Sequence, residues 1–249
     1  KIYEPMFSGG TYAYRNGRSA LQAIDHMEAQ MRRHKDGWML KMDIHSFFDA
    51  ISVKILQKEL QHTLKESDVI DLILENAQAE SLEEDGEIVK KDRGIWQGSG
   101  IAPILSNIYL KDFDYQMAEK TPGFVRYSDD MLAVAKDQEA ASELLRFVRV
   151  CMEERELALN EKKTMLVPVS SGVDFLGYHL DQNGKSVPVK AEQIVKERLE
   201  SMFLTSSALT VEEKLKKGAE ILEGWEQYYR EERKIQSVLE YAAVLYMVR

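Results

Sequence analysis

"FVRYSDDMLAVAKD", residues 124–137, is the stretch on which the reading of this chain turns. Apolar residues lead in (Phe124, Val125, Tyr127) and lead out (Met131, Leu132, Val134), as in two short strands joined by a tight turn. Two adjacent aspartates, Asp129 and Asp130, stand at the tip. Charged residues are ordinary in a solvated turn, so a surface hairpin is one reading. The other is that a carboxylate pair set between two strands apolar enough for burial is held there for its chemistry.

Upstream, "WMLKMDI" (38–44) reads as a mostly buried strand with Asp43 near its end. If this strand and the hairpin are neighbours in one antiparallel sheet, Asp43 and the pair converge. Three crowded carboxylates repel one another and raise their own pKa values unless a cation neutralises them. Hard divalent cations take oxygen ligands, and Mg²⁺ is commonly held by one or two carboxylates together with substrate phosphates. Two such ions about 3.5–4 Å apart stabilise the attacking and leaving oxygens of an in-line displacement. The chemistry expected of such a cluster is phosphoryl or nucleotidyl transfer. On residue types alone, surface acids or helix caps remain open alternatives.

The rest of the chain alternates helical and extended patterns. "SALQAIDHMEAQMRRH" (19–34) repeats apolar residues at helical spacing behind a Ser19 cap. Two short helices are expected within 53–63 and 67–78, a charged hairpin or loop over 80–93, and one helix over 102–119 entered at Pro103. An amphipathic helix follows over about 137–157, then strands at 164–168 and 173–180 separated by "SSG", and a turn at "DQNGK" (181–185). From Val189 onward the pattern is helical throughout, so a boundary near 187–190 divides an α/β portion from a helical one.

Bulk properties bound these readings. The 249 residues suffice for one substantial core, or a core and a smaller lobe. No apolar run approaches the roughly 18–20 residues of a membrane span, and no signal-peptide pattern opens the chain. The single cysteine, Cys151, excludes a disulfide scaffold and fits a reducing compartment. A cytoplasmic location with no membrane partner is therefore expected. The net charge of −9 argues mildly against a nucleic-acid partner. Local distribution offsets that, because residues 1–41 hold seven Lys/Arg against four Asp/Glu while "ESLEEDGE" (80–87) concentrates acid.

The words around the aspartates sharpen the picture. "KMDIHSFFDAI" (41–51), "GIWQGSGIAPILSNIYL" (94–110), "VRYSDDMLAV" (125–134), "LNEKKT" (159–164) and "VDFLGYHL" (173–180) occur in that order. Together they resemble the ordered palm motifs of reverse transcriptases, in the version of the bacterial group II intron-like lineage with its CRISPR-associated and diversity-generating relatives. "YEPMFSGGTYAYRNGRSALQAI" (3–24) resembles the lineage's fingers block, and "ILEGWEQYYR" (221–230) its thumb signature. The resemblance implies an α+β, right-hand polymerase fold: partial fingers over 1–37, an antiparallel palm sheet packed by helices over 38–188, and a helical thumb over 189–249. It implies RNA-directed DNA synthesis, with an RNA template, a DNA or RNA primer and dNTPs as partners and two Mg²⁺ ions, replaceable by Mn²⁺, as cofactors.

Residue roles carry over by position. Asp43, Asp129 and Asp130 are the implied metal ligands and catalytic carboxylates, and Ile44 offers a backbone carbonyl to the second ion. Phe48 takes the place of the steric gate that rejects a ribose 2′-OH; the alternative is that Phe47 and Phe48 are both core. Asp49 is expected in a structural hydrogen bond or ion pair. Gln97 and Gly98 match the dNTP-site loop, where glycine permits close backbone approach; otherwise Gln97 caps the following helix. Lys163, between Asn160 and Thr164, matches a lysine suited to general-acid work at the leaving pyrophosphate, although a lysine in "EKK" is equally a solvated group. Phe175, Leu176 and Gly177 of "FLGY" match the primer grip, with plain core packing as the alternative. Arg15 and Arg18 are placed for phosphate contacts or for structural ion pairs. Trp225, Tyr228 and Tyr229 share a helical face and are expected to pack within the thumb. His45 is expected to be a bystander.

The sequence departs from the family in carrying Ala102 before Pro103, where serine is usual, and Ser128, where alanine is commoner. The family also carries fingers strands ahead of the block matched at residue 3, with basic residues that clamp the triphosphate. Either the chain is a piece of a longer protein or it lacks that clamp. No zinc-binding or His-Asn-His endonuclease signature is seen. Two other functions remain open: an RNA-binding maturase acting on intron RNA, and a polymerase-like subunit that needs an accessory protein in a defence or spacer-acquisition complex.

Overall fold

The computed structural model describes residues 2–82, 88–205, 209–229 and 232–247. The chain divides into two compact units: residues 1–176 with 181–184, and residues 177–180 with 185–249.

The first unit is built on a four-stranded antiparallel sheet of order β4-β5-β1-β6, formed by β1 (Trp38–Asp43), β4 (Phe124–Tyr127), β5 (Asp130–Ala135) and β6 (Met165–Pro168). Side chains alternate across a sheet, and here both faces are covered. Leu40 and Met42 of β1 and Met131, Ala133 and Ala135 of β5 join the main core. That core also contains residues of α3 (Val53–Gln61), α4 (Ser67–Ala77), α5 (Ala102–Tyr109), α6 (Lys111–Lys120) and α7 (Gln138–Glu154). The alternate residues Met39, Leu132 and Val134 are also buried, and α1 (Ala20–Arg33) packs across β4 and β5. Two covered faces explain why β5 is apolar at every position after Asp130.

The α1 start follows the expectation: the Ser19 side chain accepts from the Gln22 N–H while Gln22 reaches back to the Ser19 N–H. A short helix α2 (Phe47–Ala50) follows β1 after Ser46 turns the chain at φ 45°. The charged region beyond α4 pairs as a hairpin of β2 (Gln78–Leu82) and β3 (Ile88–Ile95); of the acid-rich run 80–87, residues 83–87 lie outside the described residues. The single helix expected over 102–119 is two, α5 and α6, meeting at Leu110 (φ −101°, ψ 5°). The single strand expected over 173–180 is also two, β7 (Val173–Phe175) and β8 (Tyr178–Asp181), because Leu176 and Gly177 take positive φ of 46° and 78°. Strand β9 (Gly184–Ser186) follows the "DQNGK" turn.

In the second unit α8 (Val189–Glu200), a π-helical turn over Ser201–Thr205, α9 (Val211–Tyr229) and α10 (Glu232–Met247) bear out the helical reading. Their own core includes Val195, Leu199, Phe203, Trp225, Val238 and Ala242. Tyr178 donates its hydroxyl to the Tyr228 and Tyr229 carbonyls at 2.7 and 3.2 Å, and the Trp225 and Tyr229 rings lie 5.0 Å apart. No described helix is long and apolar enough to cross a membrane.

Candidate active site

The β4–β5 connection is a two-residue turn, with Tyr127 opposite Asp130 in register. Ser128 at its first position has φ 61°, as the tight hairpin turns that match strand twist demand. Asp130, the first residue of β5, also faces Asp43, the last residue of β1. The Ile44 N–H donates to the Asp129 carbonyl at 3.2 Å, which ties the turn to the end of β1. The sheet thus brings together Asp43, Asp129 and Asp130, separated by more than eighty residues of chain.

The "LNEKKT" segment closes onto the same place. The Asn160 N–H donates to the Asp43 carbonyl at 2.7 Å, and Asn160 Nδ2 donates to Asp43 Oδ1 at 3.1 Å. Lys163 Nζ donates to Asp43 Oδ2 at 2.8 Å. Asp43 is buried, while the Lys163 side chain is 59% exposed. The hydrogen bond to Asp43 raises the Lys163 ammonium above the ordinary lysine range, and the charges of all three aspartates add to it. The Asp130 carboxyl is pushed upward first by burial; Lys41 pulls it back, Asp43 and Asp129 push it further, and Lys163 lowers it. Lys41 is itself anchored, its Nζ donating to the Asp174 carbonyl at 2.7 Å.

Among the described residues no three His, Cys, Asp or Glu side chains are already gathered as a coordination shell. The donor chemistry nevertheless fits a hard divalent cation: every candidate ligand is an oxygen, and the buried Asp43 carboxylate already holds one positive group, the Lys163 ammonium. A zinc-type site, which favours His and Cys, does not fit.

The other expected residues fall as follows. Phe48 is half-buried, with its ring 5.5 Å from that of the buried Phe47 and packed against the main core. His45 and Asp49 are exposed. Gln97 and Gly98 lie on an exposed turn between β3 and α5; the N-cap of α5 is Ile101, with no side-chain cap, so Gln97 does not cap that helix. A Cβ on Gly98 would meet the Trp96 ring at 2.6 Å, which gives the glycine a local reason as well. Phe175 is buried, whereas Gly177 is exposed; a Cβ on Gly177 would stand 3.3 Å from the Tyr228 ring.

Of the two roles expected of Arg15, phosphate contact or structural ion pair, its contacts form the second. Its Nε donates to Glu4 Oε1 at 2.9 Å, and its Nη1 to the Ser8 and Thr11 carbonyls at 2.7 and 2.9 Å. The side chain is only 8% exposed, so its donors are committed inside the N-terminal segment. Arg18 is exposed, with its guanidinium 4.9 Å from the Tyr12 ring centre.

Sequence reading missed Arg126, Asp114, Thr11 and Tyr14, which support the turn from below and beside. The one cue was an arginine inside an otherwise apolar strand, "FVRY", since a buried charge demands a partner; the partner itself is not deducible from sequence spacing.

The architecture is a right-hand polymerase fold. Telomerase from Candida tropicalis, in its apo form, superposes with a TM-score of 0.60 over 99% of this chain and 48% of that one, at 11% identity, a likeness of fold alone. The chain belongs to the reverse transcriptase (RNA-dependent DNA polymerase) family, whose sequence pattern matches residues 1–180. It is 25% identical over 217 residues to Protein YkfC of Escherichia coli, covering 72% of this chain and 57% of YkfC. It is 28% identical over 131 residues to the group II intron-encoded protein LtrA of Lactococcus lactis, covering 53% of this chain and 21% of LtrA. Of these two relatives, LtrA is a group II intron-encoded protein; the chain spans little more than half of YkfC and about a fifth of LtrA.

Proposed function

We propose that this chain carries out RNA-templated DNA synthesis, extending a primer 3′-OH with dNTPs. The observation that carries the reading is the register that sets Asp43 opposite Asp130, with Asp129 in the turn between β4 and β5. In this reading residues 1–37 belong to the fingers, 38–188 to the palm and 189–249 to the thumb. Asp43, Asp129 and Asp130, with the Ile44 carbonyl, would hold two Mg²⁺ or Mn²⁺ ions, which when bound neutralise charge on the attacking and leaving oxygens.

The remaining work belongs to the chain's own groups. The primer 3′-hydroxyl loses its proton to solvent water, and its oxygen bonds to the α-phosphorus of the dNTP as the bond to the pyrophosphate oxygen breaks. Lys163 holds a proton at Nζ beside Asp43 and is suited to neutralise the leaving pyrophosphate and protonate it. Phe48, its ring braced by Phe47, bars a ribose 2′-OH by bulk. The exposed Gln97 amide contacts the sugar or base, Arg18 faces phosphate, and the Leu176–Gly177 turn supports the primer end.

Primer extension on an RNA template with Mg²⁺ or Mn²⁺, beside Asp129→Asn, tests this. Extension by the parent chain and none by a folded Asp129→Asn protein is expected. Equal extension by both, or none by a folded parent chain with either ion, overturns it. The similarity to an intron-encoded protein supports a second reading, binding of structured intron RNA; nanomolar binding that survives Asp129→Asn, in a chain unable to extend a primer, would favour it.

A further inference from the structure

Beneath the turn that carries Asp129 lies a charged pair that takes no part in the reaction described above. Arg126 and Asp114 are both 0% exposed. Arg126 Nε and Nη2 donate to Asp114 Oδ1 and Oδ2 at 2.7 and 2.5 Å, and Thr11 Oγ1 donates to Asp114 Oδ2 at 2.7 Å. The remaining nitrogen, Arg126 Nη1, donates to the Ser128 carbonyl at 3.0 Å, and that carbonyl belongs to the peptide that leads into Asp129. A guanidinium fork held rigidly by a carboxylate is thereby aimed at the turn.

A second support comes from the side. Tyr14 donates its hydroxyl to Ser128 Oγ at 3.1 Å. Both residues have φ 61°, a left-handed conformation that is a true outlier for a bulky aromatic residue. Such strain persists where the surroundings over-determine it, and it clusters at functional sites. The surroundings here are backbone bonds from Arg126 N–H to the Gly10 carbonyl at 2.8 Å and from Tyr12 N–H to the Arg126 carbonyl at 2.9 Å. Asn107 Nδ2 adds a bond to the Ala13 carbonyl at 2.8 Å. The segment 8–15 is thus fastened to the far side of β4, directly behind the turn.

Stability alone is a poor reason for this arrangement, because a buried ion pair often contributes no more than apolar residues of the same volume. What it supplies is a unique pose. We infer that Arg126, locked by Asp114 and seconded by Tyr14, is a positioning residue that sets the Ser128–Asp129 turn in the pose needed to receive a divalent cation. This rests on the reading of Asp129 as a cation ligand.

The test is Mn²⁺ binding to the full chain, read from the electron paramagnetic resonance of free Mn²⁺ without nucleic acid. It uses Arg126→Lys, Tyr14→Phe, the apolar pair Arg126→Met with Asp114→Leu, and Asp129→Asn as control, each checked for folding by circular dichroism and melting temperature. Lysine keeps the charge but not the fork. Arg126→Lys and the apolar pair are expected to weaken Mn²⁺ binding about tenfold or more, the scale at which groups supporting metal ligands act, with Tyr14→Phe showing a smaller loss in the same direction. Unchanged Mn²⁺ affinity in folded Arg126→Lys and Tyr14→Phe proteins, while Asp129→Asn abolishes binding, overturns the positioning role and leaves the ligand reading intact. Unchanged affinity in Asp129→Asn itself overturns the ligand reading, and this inference with it.

Discussion

Ionising Asp130 costs more in the folded chain than in the unfolded one. Burial, with Asp43 and Asp129 close by, raises its pKa above the free value, so the native state binds its proton more tightly than the unfolded state does. Above the folded pKa both states are ionised and the penalty is fully present. As pH falls through the folded pKa the penalty is lifted, the opposite of the usual salt-bridged aspartate. Asp130→Asn should therefore raise the melting temperature at pH 7, by about 2–4 °C for each kcal/mol of repulsion removed, and the gain should shrink toward pH 4. A thermal melt at both pH values checks this; a lower melting temperature at pH 7 contradicts it. The glycine beside Gln97 offers a second residue-scale case. A Cβ on Gly98 would overlap the 63% exposed Trp96 ring, which has room to swing away. Gly98→Ala should change stability by no more than about 1 kcal/mol while shifting Trp96 fluorescence. All three aspartates were legible from sequence through the order of the motifs that carry them, since acids at a turn or a strand end are ordinary by themselves. Arg126 and Asp114 were not, because a charge pair made across tertiary space leaves no spacing to read.

Local chemistry decides some elements and packing decides others. The Ser19 and Gln22 capping box is readable directly, and Ser19→Ala should cost about 0.5–2 kcal/mol in denaturant unfolding. The break between α5 and α6 is not readable. Leu110 is fully buried, so the apolar periodicity runs through it, and neither Gly nor Pro marks the stop. "FLGY" carries half a cue: Gly177 suits a positive φ, whereas nothing about Leu176 announces 46°. Gly37 is an element-scale requirement of another kind. A Cβ there would stand 2.4 Å from the Ala135 carbonyl oxygen and 2.9 Å from that of His34, both backbone atoms without freedom to move. Gly37→Ala should therefore destabilise the start of β1 against β5 by about 1–3 kcal/mol, visible as a lower denaturation midpoint; an unchanged midpoint would contradict it.

For the whole molecule, the net charge of −9 conceals the concentration of negative charge where β1 meets β5. A ligand that binds only the native state stabilises it by mass action, by about 2.7 kcal/mol at a concentration a hundred times its Kd. Mn²⁺ or Mg²⁺ should therefore raise the melting temperature of the parent chain, chelation should reverse the rise, and Asp43→Asn should abolish it. A rise that persists in Asp43→Asn would place the cation elsewhere. From the sequence alone came the family resemblance, the two-part division into α/β and helical portions, and the acids of the candidate site, because those depend on hydrophobic period, turn residues and motif order along the chain. Only the tertiary structure decided that Asp43 lies opposite Asp130, that Lys163 closes on Asp43, that Arg15 turns inward and that Arg126 props the Asp129 turn. These are contacts between residues far apart in sequence, and their free energy comes from burial and pairing that exist only after the sheet has formed.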